Sequence, residues 1–119
     1  MFVRCAYYVG TVGHGNRKMF DDYVLNVHLP DVASWPRLLR LRLLKNNGEA
    51  YLGEASRYYQ CFELTFDTQE DMDFCMASQA RVATRKQAAE DIAKFKGLFI
   101  GEVHHVNYEV TDIPLTGKR

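Results

Sequence analysis

Residues 20–30 read FDDYVLNVHLP and predict a short amphipathic helix. Its apolar stripe contains Phe20, Val24 and Val27, and the same stripe carries His28. Because proline disfavours helical conformation in the residue before it, we expect the helix to end or kink at Pro30. The stretch therefore predicts an imidazole in the last helical turn, aimed at the buried side.

Periodicity outside this helix predicts the rest of the fold. Alternating side chains predict four strands, at residues 2–12, 37–45, 58–66 and 100–110. The first helix covers residues 19–28, and a second helical region runs from an N-cap at Thr68, with a break near Ser78, to a stop at Gly97. The order β-α-β-β-α-β predicts an α+β, ferredoxin-like fold, a four-stranded antiparallel sheet with both helices on one face.

Length and composition predict one globular domain. The 119 residues are expected to form a single domain with a core over about residues 2–110 and a polar tail at 111–119. Lysine plus arginine and aspartate plus glutamate both number 15, so nucleic acid and anionic membrane are disfavoured as partners. The sequence contains no apolar run long enough to predict a membrane span. Its three cysteines lack CxxC spacing, which favours reduced thiols in the cytoplasm.

The sheet face opposite the helices is predicted to lack a cover. It would expose tyrosine, leucine and cysteine side chains as one apolar patch. Pairing with a second copy would bury that patch, and two such sheets can close into a barrel. We therefore expect a homodimer.

The segment 20–30, between a strand and a leucine-rich strand, resembles the EthD domain family, in which an aromatic-rich first helix ends in a His-x-Pro signature. The register of residues 62–76 is similar as well, with a phenylalanine closing the third strand before an acidic helix start. The resemblance implies a dimeric α/β barrel with a ligand pocket in each subunit. Relatives in this superfamily include muconolactone-type isomerases and cofactor-free monooxygenases. The longer segment between Ser78 and Gly97 departs from the shorter members and affects the expected shape of the pocket.

His28 is the predicted catalytic residue. Its ordinary pKa of about 6.5 suits a general acid or base near neutrality. The alternative is a packed histidine that is hydrogen-bonded to a backbone carbonyl at the helix end, where histidine is favoured in any case.

Strand alternation predicts the side chains that accompany it. If Leu39, Leu41 and Leu43 of the second strand face the helices, then Arg40 and Arg42 point to the other face. If the phenylalanines of the third strand also face the helices, Tyr59 and Glu63 point the same way as the arginines. Glu63 would need one of these arginines as a partner, because an unpaired buried carboxylate is costly. The arginines could form structural ion pairs, or one could bind a substrate oxygen. Tyr7 is a further candidate substrate-binding residue, although strand tyrosines commonly belong to the core.

The last strand adds His105 as a candidate ligand-binding residue. His105 and Glu109 share a face but lie about 13 Å apart, too far to bind one metal ion. The sequence predicts neither a metal nor an organic cofactor.

The favoured hypothesis is an enzyme acting on a hydrophobic, oxygenated small molecule by proton transfer, as an isomerase, dehydratase or cyclase does. His28 would be the acid or base, and Arg40 or Arg42 would stabilise an oxyanion. Two alternatives stay open: a cofactor-independent monooxygenase of the same superfamily, and a non-catalytic protein that binds such a molecule.

Overall fold

Four strands and a set of short helices make up the described part of the chain. The computed structural model describes residues 1–48, 56–94 and 98–117, so most of the loop expected after Gly48 and the helix stop expected at Gly97 lie outside the described residues. The strands are β1 (Phe2–Thr11), β2 (Arg40–Lys45), β3 (Tyr58–Phe66) and β4 (Ile100–Glu109). The helices are α1 (Arg17–Tyr23), α2 (Leu29–Val32), α3 (Gln69–Met76) and α4 (Gln79–Lys94), with a π-helical turn (Val24–His28) between α1 and α2. None of the described helices is long and apolar enough to cross a membrane.

The sheet has the order β2-β3-β1-β4, and all neighbouring strands are antiparallel. The helices pack on one face, which confirms the predicted ferredoxin-like fold. The core lies between the sheet and the helices, and β3 contributes Phe62, Leu64 and Phe66 to it. Met72 and Cys75 of α3 pack against the same core and are fully buried. Alternation along β3 therefore separates a helix face from an open face, as expected.

The first helix differs from its prediction. It does not end at Pro30, because the π-helical turn leads directly into α2, whose first turn contains Pro30. The wide turn is seen in the bond from the Leu29 N–H to the Val24 carbonyl, five residues back. As a result Leu29 is buried (8% exposed), whereas Val27, which was expected on the buried stripe, is 43% exposed. The predicted stripe is correct for Phe20 and wrong for Val27.

The second strand starts later than predicted. It begins at Arg40 instead of residue 37, because Arg37 adopts a left-handed conformation with φ of 64° that ends the preceding turn. Leu41 and Leu43 pack against the core, as expected. Leu39 was expected beside them but is exposed, and Leu38 packs there instead.

Two glycines bring β1 and β4 unusually close together. Gly10 pairs with Gly101, and their φ angles are 150° and 153°, a region that side chains with a Cβ rarely adopt. A Cβ on Gly101 would lie 2.1 Å from the carbonyl oxygen of Val9. Gly10 is therefore part of a tightly paired strand, within the range predicted for the first strand.

The predicted start and break of the second helical region are confirmed. The Thr68 hydroxyl accepts a hydrogen bond from the Asp71 N–H at 3.0 Å, as an N-cap does. Ser78 separates α3 from α4: its hydroxyl donates to the Cys75 carbonyl and accepts from the Arg81 N–H.

Candidate active site

A cavity of about 260 Å³ lies between the sheet and the helices, and we call it the helix-side cavity. Helix-facing side chains of β1, β3 and β4 form one wall, and α4 together with the π-helical turn forms the other. Trp35 also lines it and is held by a 2.9 Å hydrogen bond from its indole N–H to the Thr84 hydroxyl. The ionisable side chains that line it are Arg4, Tyr8, His28, Arg81, Arg85 and His105.

His28 stands at the end of the π-helical turn and is half-buried. Its imidazole stacks on the Tyr23 ring, with centroids 6.3 Å apart and planes 18° apart, and it meets the Phe62 ring edge-on at 5.9 Å. Within the described ranges the imidazole has no hydrogen-bond partner. The structure thus gives no support to the packed, carbonyl-bonded histidine that the sequence left open.

Burial lowers the pKa of His28, and the carboxylates of Asp31 and Asp91 partly oppose that effect. Asp91 accepts a hydrogen bond from the Tyr23 hydroxyl at 3.1 Å, so the ring that stacks on His28 is itself fixed to α4. Gln87 donates to the second oxygen of the same carboxylate at 2.9 Å. His28 is therefore a neutral imidazole at neutral pH, with two carboxylates near enough to stabilise its protonated form.

Tyr8 is the tyrosine that shares this cavity, although Tyr7 was the one predicted. Tyr8 follows Arg4 and Ala6 on the helix face of β1, and its ring packs edge-on against Phe20 and Phe99. Burial raises the pKa of Tyr8 to about 12, so its hydroxyl stays protonated and can donate a hydrogen bond. The alternation of side chains along β1, which places Tyr8 on the same face as Ala6, is the sequence signal that would have assigned Tyr8 to this cavity.

His105 lines the helix-side cavity together with three arginines, and its role in ligand binding stays a prediction. Arg4 faces it from β1, and Arg81 and Arg85 face it from one side of α4, one turn apart. Burial, followed by the positive charges of Arg4, Arg85, Arg81 and His104, lowers the pKa of His105 to about 4. Sequence reasoning missed the three arginines as site residues.

The other predicted site residues lie on the open face of the sheet. Tyr7, Arg40, Arg42 and Glu63 line a second cavity of about 520 Å³, the open-face cavity. Arg42 Nε donates to Glu63 Oε1 at 2.9 Å, which confirms that Glu63 pairs with an arginine. The Tyr7 hydroxyl lies 2.8 Å from that of Tyr108.

Tyr59 lines neither of these two cavities. A register shift opposite Tyr8 and Val9 turns it to the helix side, although alternation predicted the open face. There its hydroxyl donates to Asp21 at 2.8 Å, and Asp21 also pairs with Lys45. The prediction that Tyr59 accompanies Arg40 and Arg42 is therefore wrong.

The predicted site residues are thus divided by the sheet. His28 and His105 lie on one side, and Arg40 and Arg42 lie on the other. A single site in which His28 acts while Arg40 or Arg42 binds the oxyanion is incompatible with this arrangement within one subunit. In the described ranges, no group of three or more His, Cys, Asp and Glu side chains is placed to hold a metal ion.

Solved structures share this fold. An EthD family protein from Bacillus halodurans is 22% identical over 93% of this chain and 100% of its own, with a TM-score of 0.69. A protein from Deinococcus radiodurans, assigned provisionally as an antibiotic biosynthesis monooxygenase, is 9% identical over 98% and 100%, with a TM-score of 0.62. A dimeric protein of unknown function with a ferredoxin-like fold, from Bacteroides fragilis, is 16% identical over 92% and 96%, with a TM-score of 0.56.

These similarities confirm the resemblance to the EthD family at the level of the fold. The sequence matches no protein-family model, and no curated protein matches it either.

Proposed function

We propose that the protein is an enzyme that moves protons on a hydrophobic, oxygenated small molecule bound in the helix-side cavity. One observation carries the proposal. The half-buried imidazole of His28 lines a cavity whose walls include the apolar side chains of Phe62 and Leu64, and it has no hydrogen-bond partner among the described residues. A neutral imidazole in that position can accept a proton from a bound molecule.

The surrounding groups suit an isomerisation, dehydration or cyclisation. Proton removal next to a carbonyl places negative charge on its oxygen, and the Tyr8 hydroxyl can donate a hydrogen bond to that oxygen. The carboxylates of Asp31 and Asp91 favour the imidazolium that forms. His28 can then return the proton at a different atom, which completes the reaction without another co-reactant.

The proposal also includes a cytoplasmic, single-domain homodimer. The open face exposes several large apolar side chains, among them Leu44, Tyr58, Val106 and Tyr108. A second copy would cover them, and the structurally similar Bacteroides protein is described as dimeric. Cys5, Cys61 and Cys75 are all free thiols, as suits a reducing compartment.

The test uses hydrogen exchange, which reports proton transfer directly. The protein is incubated in deuterated buffer with a panel of enolisable aryl and alkyl ketones, and loss of the acidic C–H signal is followed by NMR. We expect exchange above background, lowered about a hundredfold or more in His28→Gln. His104→Gln is the matched control, because His104 faces away from the cavity and pairs with Glu102. Equal exchange by wild type and His28→Gln would refute the role of His28.

A cofactor-independent monooxygenase is the second candidate. The monooxygenase assignment of the Deinococcus structure favours it. In that reaction the deprotonated substrate would react with oxygen, so oxygen consumption during turnover separates it from isomerisation. Binding of a panel compound with neither exchange nor oxygen uptake would identify a non-catalytic binding protein.

A further inference from the structure

Three guanidinium groups meet at the helix-side cavity of a protein with no net charge. Arg4 comes from β1, and Arg81 and Arg85 come from α4, and each lines the cavity. Arg4 and Arg81 are half-buried, whereas Arg85 and His105 are more exposed, which places the last two where the cavity meets solvent. The positive charges thus extend from the solvent-exposed edge into the cavity.

None of these three arginines forms an ion pair in the described part of the chain. Arg4 donates to the side-chain carbonyl of Asn107 at 3.0 Å, and Arg81 donates to the backbone carbonyl of Met76 at 3.0 Å, so both acceptors are neutral. Elsewhere Lys18, Arg37, Arg42 and Lys45 each pair with a carboxylate.

Converging cations without a counter-charge repel one another and are costly to desolvate. The repulsion is visible in the pKa values of Arg4 and Arg81, which burial lowers first and neighbouring arginines lower further. Neutral His105 beside them cannot supply negative charge. An anion bound among the guanidinium groups would relieve the repulsion and accept several charge-assisted hydrogen bonds.

The apolar residues that line the rest of the cavity indicate what kind of molecule carries the anionic group. Side chains of Ala6, Tyr8, Phe62 and Leu64 line the sheet side, and Ala88 and Ala89 line the α4 side. A volume of about 260 Å³ lies at the small end of ligand cavities and suits a compact molecule of one or two rings. A planar carboxylate matches the guanidinium fork and is less costly to desolvate than a doubly charged phosphate.

We propose that the helix-side cavity binds a small apolar carboxylic acid as its anion, with the carboxylate on Arg4, Arg81 and Arg85 and the apolar part against Tyr8 and Phe62. This inference rests on the proposed function, because it names the substrate class of the same cavity. His28 would then act on an atom of the apolar part, away from the carboxylate.

Binding is measured by isothermal titration with three acids, benzoate, 2-naphthoate and octanoate, and with their neutral amides. We expect at least one acid to bind about tenfold or more tightly than its amide. Arg85→Gln should remove most of that preference and leave the amide affinity within about twofold, because Arg85 is exposed and makes no hydrogen bond in the described part of the chain. Arg81→Gln should act in the same direction.

Lys86→Gln is the matched control, since it removes one positive charge from the same helix at an exposed residue that does not line the cavity. The inference fails if no acid binds more tightly than its amide, if Lys86→Gln lowers the preference as much as Arg85→Gln, or if phenyl phosphate displaces every acid at a lower concentration. These measurements need no turnover. A preserved acid preference with no effect of His28→Gln on exchange would therefore refute the proposed function alone.

Discussion

Replacing Gln60 with methionine is expected to stabilise the protein. Gln60 is 2% exposed on the helix face of β3, and within the described ranges neither its amide nitrogen nor its amide oxygen has a hydrogen-bond partner. In the unfolded chain both atoms are hydrated, so folding removes those bonds without replacing them. Methionine has nearly the same length and flexibility, and it has no strongly polar atom to desolvate.

The size of the effect follows from the unpaired amide. Burying such a group without hydrogen bonds costs about 1–3 kcal/mol in protein mutational data. Imperfect packing of the sulfur and methyl group offsets part of this gain, since volume-conserving core replacements cost up to about 1.5 kcal/mol. We therefore expect the free energy of unfolding to rise by about 1 kcal/mol, with Tm higher by about 3–6 °C for a chain of this length.

Urea denaturation followed by circular dichroism measures the change. Gln79→Met is the control, because Gln79 is exposed at the start of α4 and its side chain makes no hydrogen bond in the described part of the chain, so its replacement should alter the unfolding free energy by less than about 0.5 kcal/mol. A loss of more than about 1 kcal/mol in Gln60→Met, with an unchanged native spectrum, would show that the amide is satisfied in the folded state and that the reasoning is wrong.

Three further changes test other parts of the structure. Gly101→Ala should lower the free energy of unfolding, measured by thermal denaturation, by about 3 kcal/mol or more, because its Cβ would overlap a β1 carbonyl oxygen at 2.1 Å. Gly15→Ala is the control and should lower it far less, since the space around Gly15 is open. Equal losses would contradict the close pairing of β1 and β4. Thr68→Ala removes an N-cap and should lower the free energy of unfolding, measured by urea denaturation, by about 1 kcal/mol. Thr116→Ala, at an exposed position outside any helix or strand, should change it little. An unchanged stability of Thr68→Ala would mean that the cap is unimportant. Because the pKa of His105 falls from 6.5 to about 4 on folding, the unfolded chain binds more protons in that range and stability should fall as the pH drops through it. The stability difference between wild type and His105→Gln should therefore change between pH 6.5 and 4, and a constant difference would contradict the lowered pKa.

Side-chain alternation was enough to predict the sheet. The period of two residues in β3 separates Phe62 and Leu64 from Glu63, and it predicted an arginine of β2 as the partner of Glu63, which the register of the sheet identifies as Arg42. The N-cap at Thr68 was readable because its chemistry is local. These features depend on short-range geometry that the sequence specifies directly.

The errors have the opposite origin. A helix period of about 3.6 residues cannot anticipate a π-helical turn, so Val27 was expected inside and Leu29 was not. Strict alternation cannot anticipate a register shift, so Tyr59 was assigned to the wrong face.

The arginines of α4 illustrate a third limit. Arg81 and Arg85 are one turn apart, a spacing that is common on solvated helix surfaces. Their meeting with Arg4 depends on how α4 lies across the sheet, which is a tertiary property. The sequence therefore located His28 but did not locate the charged groups that share its cavity.

The π-helical turn makes the direction of His28 depend on the type of helical turn that precedes α2. Such a turn contains one residue more than the α-helical turn it replaces. Its backbone hydrogen bond joins the Leu29 N–H to the Val24 carbonyl, and the side chains of both residues are buried. Deleting one residue from Val24–His28 would let the turn close as regular α-helix and leave the following segment in nearly the same orientation to α1, whereas an α-helical turn that kept all five residues would rotate that segment by about 100°. A homologue that lacks this residue would therefore keep its histidine on the same side in a regular helix, so an alignment gap at this turn marks a change of helix type and not the loss of the site.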